Sequence, residues 1–162
     1  MARGGTPAIV ALNAAQVQFD VHEFAVDPAE RNYGEAAAVA LGVALDRVFK
    51  TLIVTVDDRE HVVGIVPVSG QLSLKELAAA VHGKRAEMCL PETAQRITGY
   101  VVGGISPFGQ KRLLPTVIDE TCVLFGSIFV SGGRRGLDIE IAPDDLIAVL
   151  DAVTAPIGTS SV

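Results

Sequence analysis

Tryptophan is absent from this 162-residue sequence, and only two cysteines and three histidines are present. Cys89 and Cys122 form no Cys-x-x-Cys pattern, so a disulfide scaffold is not expected and two buried free thiols are. His22, His61 and His82 are scattered without ligand spacing, which excludes a recognisable zinc centre; no metal and no cofactor are expected. No uninterrupted apolar run reaches the length of a membrane span. The start, Met1-Ala-Arg-Gly-Gly-Thr6, lacks the apolar core of a signal peptide. A cytoplasmic protein with no membrane partner is the expectation.

Positive charge is also scarce: 13 Lys and Arg against 19 Asp and Glu give a formal net charge of −6. A protein that grips nucleic acid mainly by its phosphates needs a clustered positive field. The cations are unevenly placed, however, because Lys111-Arg112 and Arg134-Arg135 each follow a glycine-bearing turn. Any contact with nucleic acid should therefore be local, with affinity weak or supplied by another protein.

Familiar catalytic signatures are missing as well. There is no Gly-x-Ser-x-Gly elbow. Gly104 to Gly109 has the gap of a phosphate loop, but Gln110 stands where its lysine is required. Gly132-Gly-Arg-Arg-Gly136 is no dinucleotide fingerprint, and no histidine stands near a plausible nucleophile. An enzyme with this sequence should form no covalent intermediate on its own serine or cysteine.

What is present reads as one globular domain over residues 1–162, with 49% hydrophobic and 20% charged residues. Thr6-Pro7 opens a helix to about Ala15, and Val17, Phe19 and Val21 alternate as a strand ending near Phe24. A helix from Gly34 to Leu41 stops at Gly42. Val48 to Val56 and His61 to Val66 form a hairpin around Asp57 to Glu60. Ser73-Leu-Lys-Glu76 is a capping box for a third helix that Gly83 closes. A short strand at Arg85 to Cys89 and a helix from Pro91 follow. Strands are expected at Pro115 to Asp119, Ser127 to Val130 and Leu137 to Ile141, then a helix from Pro143 to about Ala152. The tail from Gly158 reads as loose. Hairpin spacings outnumber strand–helix–strand units, which gives an α+β fold with a mixed, largely antiparallel sheet flanked by helices.

The chain is organised around Gly99 to Arg112, which carries Gly103-Gly104, Ser106-Pro107 and Gly109. Such a segment is either a tight connection between strands or a turn whose bare N–H groups hold an anionic or carbonyl oxygen. Lys50 shares a strand face with Val48, Leu52, Val54 and Val56. It escapes to water at the strand end, guards a sheet edge, or faces a ligand. Asp138 alternates with Leu137, Ile139 and Ile141, as on a solvated strand face. Ser131 and the glycines after it either end a strand or face the same cavity as Gly103-Gly104. Phe24 and Tyr33 are two of few aromatics and could be simple core.

Val48-Phe-Lys-Thr-Leu52, Thr98-Gly-Tyr-Val-Val-Gly-Gly-Ile-Ser-Pro-Phe-Gly-Gln-Lys111 and Val130-Ser-Gly-Gly-Arg-Arg-Gly-Leu-Asp-Ile-Glu140 together resemble the YbaK/EbsC family. The pattern is most like the bacterial YbaK branch, the Cys-tRNA(Pro) deacylases, and spans Thr6 to about Ala152. The resemblance implies a free-standing editing enzyme that hydrolyses the ester of tRNA(Pro) mischarged with cysteine, possessing the fold of a prolyl-tRNA synthetase editing domain. It implies Lys50 as the essential lysine, and Phe24, Tyr33, Thr51, Gly103, Ser131 and Asp138 around the substrate. Gly104 and Ser106 are taken as further substrate contacts from the same glycine stretch. Phe24 and Tyr33 exchange the tyrosine and phenylalanine of close relatives, keeping the aromatic pair but not the same phenol. The implied partners are the aminoacylated 3′ end of tRNA and prolyl-tRNA synthetase, and the implied nucleophile is the substrate's own thiolate. Preference for alanyl or seryl tRNA, Cys-tRNA(Cys) as a second substrate, and a non-catalytic module for tRNA ends or nucleotides stay open.

Overall fold

Threonine and proline set the first element of the computed structural model, which describes residues 5–160. The Thr6 hydroxyl accepts from the Ile9 N–H at 3.3 Å, and α1 (Pro7–Ala15) follows with proline in its first turn. β1 (Asp20–Glu23) is shorter than its alternation suggests and turns the other way. Val21 is exposed, while His22 faces inward and lies against the Phe129 ring, with ring centroids 5.5 Å apart. Val17 and Phe19 pack on the core from the loop before the strand. α2 (Tyr33–Leu41) ends at Gly42 in the left-handed region, φ 70°.

β2 (Phe49–Val56) and β3 (Glu60–Pro67) form the expected hairpin, antiparallel from Phe49↔Pro67 to Val56↔Glu60. Asp57 and Asp58 both take positive φ in its turn, a conformation matched to the strand twist. β4 (Gly70–Leu72) leads into α3 (Leu74–Ala80), where the Ser73 hydroxyl accepts from the Glu76 N–H at 3.2 Å. β5 (Ala86–Met88), α4 (Pro91–Thr98), β6 (Thr116–Asp119), β7 (Ile128–Arg134), β8 (Leu137–Ile141), α5 (Pro143–Leu150), β9 (Val153–Ala155) and β10 (Gly158–Ser160) complete the described chain.

Two sheets carry the architecture. The larger runs β5-β2-β3-β6-β9 and the smaller runs β1-β8-β7, while β10 pairs with β4. Only β3·β6 and β6·β9 are parallel among the described strand pairs, so the sheet is mixed and mostly antiparallel. A parallel bridge between Val48 and Phe129 ties the start of β2 to β7. Val62 to Val66 is buried without a break because β3 is covered on both faces. One face of the large sheet, with Phe49, Ile53, Ile65 and Ile118, packs on Val130, Ile139 and Ile141 of the small sheet. The other face, with Val54, Val62 and Val117, packs on Leu77 and Ile157.

Three expectations need correction. The tail is not loose over Gly158–Ser160, while Ser161 and Val162 lie outside the described residues: Ile157 is fully buried and the Gly158 N–H donates to Asp119 Oδ1 at 2.7 Å. That anchor converts a polar ending into strand β10, and β9 before it supplies a sheet edge. β7 also runs past Val130 to Arg134, because a register shift between Ser131 and Arg134 absorbs its glycines. The Gly99 to Arg112 segment joins helix α4 to strand β6 rather than two strands. Gly99 caps the helix with φ 85°. No helix among the described residues is long and apolar enough to cross a membrane.

Candidate active site

Where the two sheets part, between β2, α2 and the β7–β8 turn, lies a cavity of about 550 Å³. Seven residues singled out in the sequence line it: Phe24, Tyr33, Lys50, Thr51, Gly103, Ser131 and Asp138. They come from six separate parts of the chain: the loop after β1, α2, β2, the loop between α4 and β6, β7 and β8. Gly104 and Ser106 are not in the wall. A Cβ on Gly104 would stand 2.8 Å from the Arg134 Cα, so this glycine closes the loop onto the β7–β8 turn. Ser106 is fully buried, its hydroxyl accepting from the Phe108 N–H at 3.2 Å and its carbonyl from the Gln110 amide at 2.9 Å. The geometry gives both a part in shaping the loop.

Lys50 sits on the same β2 face as Leu52, Val54 and Val56, but at the end of the strand where α2 leaves the cavity open. Partial burial pulls its ammonium below the ordinary lysine range, and Glu35, also in the wall, opposes that shift. No carboxylate among the described residues comes within salt-bridge distance of it. A half-buried cation with a free valence toward a cavity is suited to an electron-rich ligand oxygen.

Asp138 is the larger surprise. The small sheet places it beside His22 on one neighbour and Ser131 on the other. It is buried, at 7% exposure, rather than on a solvated face. Burial pushes its carboxyl up to about 7, with His22 pulling weakly the other way. Alternation along β8 correctly separates its two faces, but the opposite face is roofed by the cavity and not by water. An acid held near neutrality can accept or release a proton at physiological pH.

Main-chain groups of the glycine segment are unequally occupied. The Val102 N–H donates to Gln95 Oε1 at 3.0 Å and the Gly104 N–H to the Val101 carbonyl at 2.9 Å. The Gly103 N–H has no partner among the described residues, and Gly103 is the one in the wall. Its φ of +93° and the 2.9 Å approach of Tyr33 Cε2 to a notional Cβ both require glycine.

The wall carries no serine or cysteine with a histidine beside it. None of the three histidines lines the cavity, and His22 is engaged with Glu140 Oε1 at 2.9 Å. Ser131 Oγ accepts from the Gly133 N–H at 3.2 Å. Cys89, unforeseen as a wall residue, is a free thiol whose burial raises its pKa and suppresses the reactive thiolate. Among the described residues no three His, Cys, Asp or Glu side chains gather as metal ligands.

Thr51 Oγ1 is buried with no hydrogen-bond partner among the described residues. A buried hydroxyl left unpaired costs roughly 1–3 kcal/mol. Thr51→Val keeps the shape and removes that cost. The variant is expected to gain about 0.5–1 kcal/mol in urea melts while losing activity. A loss of stability would mean that the hydroxyl is paired in the fold.

Residues 27–149 match the family of aminoacyl-tRNA editing domains. The provisionally named Cys-tRNA(Pro)/Cys-tRNA(Cys) deacylase EbsC of Enterococcus faecalis is 34% identical over 154 residues, covering 95% of this chain and 93% of that protein. The multifunctional Ser/Thr-tRNA deacylase ProXp-y of Escherichia coli is 33% identical over 88 residues, 52% of this chain and 53% of its own. The crystal structure of a provisionally named trans-editing enzyme for prolyl-tRNA synthetase superposes with a TM-score of 0.84 at 23% identity. It covers 95% of this chain and 96% of that one. The family match over residues 27–149 and the EbsC match over 95% of the chain show that the chain belongs to the YbaK/EbsC-type aminoacyl-tRNA editing domains, a family of aminoacyl-tRNA deacylases.

Proposed function

We propose that the protein clears Cys-tRNA(Pro) in trans, with Cys-tRNA(Cys) as a second substrate, and that the substrate's own thiol performs the cleavage. The observation that carries this is a wall with a cation, a free main-chain N–H and a near-neutral acid, but no histidine-activated serine or cysteine. An aminoacyl ester is already activated, so positioning supplies most of what its cleavage needs. Lys50 anchors the ester end of the tRNA or its terminal adenosine. Asp138, in its carboxylate form, takes the proton from the cysteine thiol. The thiolate attacks the ester carbonyl carbon, and the developing oxyanion is met by the Gly103 N–H. The bond to the ribose oxygen then breaks, that oxygen takes up a proton, and free tRNA leaves beside a cyclic thioester.

Selectivity follows from the same chemistry. A pocket that sorts cysteine from alanine by size gains only about 10–200-fold per small group. A reaction that needs a thiol rejects alanine outright. The net charge of −6 fits recruitment through prolyl-tRNA synthetase, which would bring the tRNA with it. The deciding experiment charges tRNA(Pro) with cysteine, alanine or serine and assays each with and without that synthetase. Cysteine release at least tenfold faster than the others, with the cyclic thioester among the products, is expected. Rapid release of serine, the substrate type named for the Escherichia coli relative, would replace the thiol mechanism by attack of water.

A further inference from the structure

The two arginines of the β7–β8 turn have different surroundings. Arg134 is bonded to the Glu23 carboxylate. Arg135 meets no carboxylate within salt-bridge distance among the described residues. Its guanidinium lies over the Tyr33 ring, 4.6 Å from the centroid. One of its nitrogens is 3.4 Å from Tyr33 Oη and the other 3.3 Å from the Pro28 carbonyl. These neutral contacts fix the plane of the guanidinium without neutralising it. The loop is shaped to this pair, because a Cβ on Gly103 would fall 2.9 Å from both Arg135 Cδ and Tyr33 Cε2.

Arg135 therefore stands as an oriented, uncompensated cation in the cavity wall of an acidic protein. The acids of the wall are otherwise placed: Glu35 acts on Lys50, and Asp138 lies between His22 and Ser131 in the small sheet. In an aminoacyl-tRNA the first phosphodiester lies one ribose away from the ester, on the 5′ side of the terminal adenosine. Arg135 adjoins Gly103 in the wall, so an ester met by the Gly103 N–H would have that phosphate one ribose away from it.

We propose that Arg135, held over the Tyr33 ring, is a phosphate-binding residue that takes the phosphodiester next to the terminal nucleotide of the tRNA. The proposal rests on the deacylase reading and adds to it the contact that distinguishes an RNA end from a lone aminoacyl nucleoside. A guanidinium suits a phosphate because two N–H groups can meet two oxygens at once.

Arg135→Gln and Arg135→Lys are compared with wild type on two substrates. One is the aminoacyl-tRNA that the wild type cleaves best, and the other is the matching aminoacyl ester of adenosine, which has no phosphate. Arg135→Gln is expected to lower kcat/KM on the tRNA about tenfold more than on the nucleoside ester, through KM. The slope of log KM against log salt should fall by about 0.7, the contribution of one single-strand phosphate contact. Arg135→Lys should recover part of the loss as a point charge. Equal losses on both substrates would overturn the proposal, leaving Arg135 as a prop for Tyr33, as would an unchanged salt slope or no loss on tRNA. A wild-type protein that cleaves neither substrate would remove the deacylase reading itself, and this contact with it.

Discussion

Replacing Lys50 by alanine is expected to lower deacylation of a cysteinyl ester by about 10²-fold or more, equivalent to about 2.7 kcal/mol of barrier, while the fold stands. The activity loss follows from the ammonium's position: it is half-buried in the wall and unpaired, so its attraction for an ester or ribose oxygen is not diluted by bulk water. The intact fold follows from the same facts. No salt bridge involving Lys50 is lost among the described residues, and only the packing of its stem against β2 neighbours goes. Removing a partly desolvated cation also relieves a cost. Lys50→Arg should not rescue, since a planar fork cannot occupy the place of a compact ammonium beside Glu35. Single-turnover assays and far-UV circular dichroism make the check. Activity within threefold of wild type would sink the assignment of Lys50, as would a collapsed spectrum.

How far the sequence leads depends on whether a residue's partners are near it in the chain. The β2–β3 hairpin, the Ser73 cap and the Thr6-Pro7 start are local, written in turn residues and caps, and stand where they are expected. The tail is different, because strand β10 exists only through Asp119 and β4, both far away in sequence. β1 fails in orientation for a similar reason: His22 is drawn inward by Phe129 and Glu140, which alternation within the strand cannot reveal.

The site divides along the same line. Lys50 is conspicuous, being a charge on an apolar strand face. Arg135 shows only as half of a cation pair after a glycine turn, and what sets it apart from Arg134 comes from Tyr33, which lies 102 positions earlier. Asp138 reads as solvated because the strand pattern tells inside from outside, and a cavity roof is neither. Ser106 misleads in the opposite sense. A serine between glycines suggests a ligand contact, whereas its hydroxyl holds its own turn together.

Asp138→Asn is expected to stabilise the protein above neutral pH while removing most of its activity. The folded carboxyl titrates at about 7 against an ordinary 3.8, so folding raises its pKa. Between these values the native state holds a proton that the unfolded chain has released. The stabilising contribution of the protonated acid is therefore complete below about pH 4 and is lost as pH rises through 7. Past that point the wild type carries a buried charge whose cost is roughly 2–4 kcal/mol, which neutral asparagine avoids. The Tm of the variant should exceed that of wild type by about 5–15 °C at pH 8, and the gap should shrink toward pH 5. A gap that is constant with pH would show that Asp138 is not the group responsible. The rate should move the other way: wild-type deacylation rises as the carboxylate forms near pH 7, and the variant, with no proton acceptor, stays at least 10²-fold lower. An acid that costs stability in the form the reaction uses has no folding reason to be there, so opposite shifts in Tm and rate would tie its burial to the chemistry.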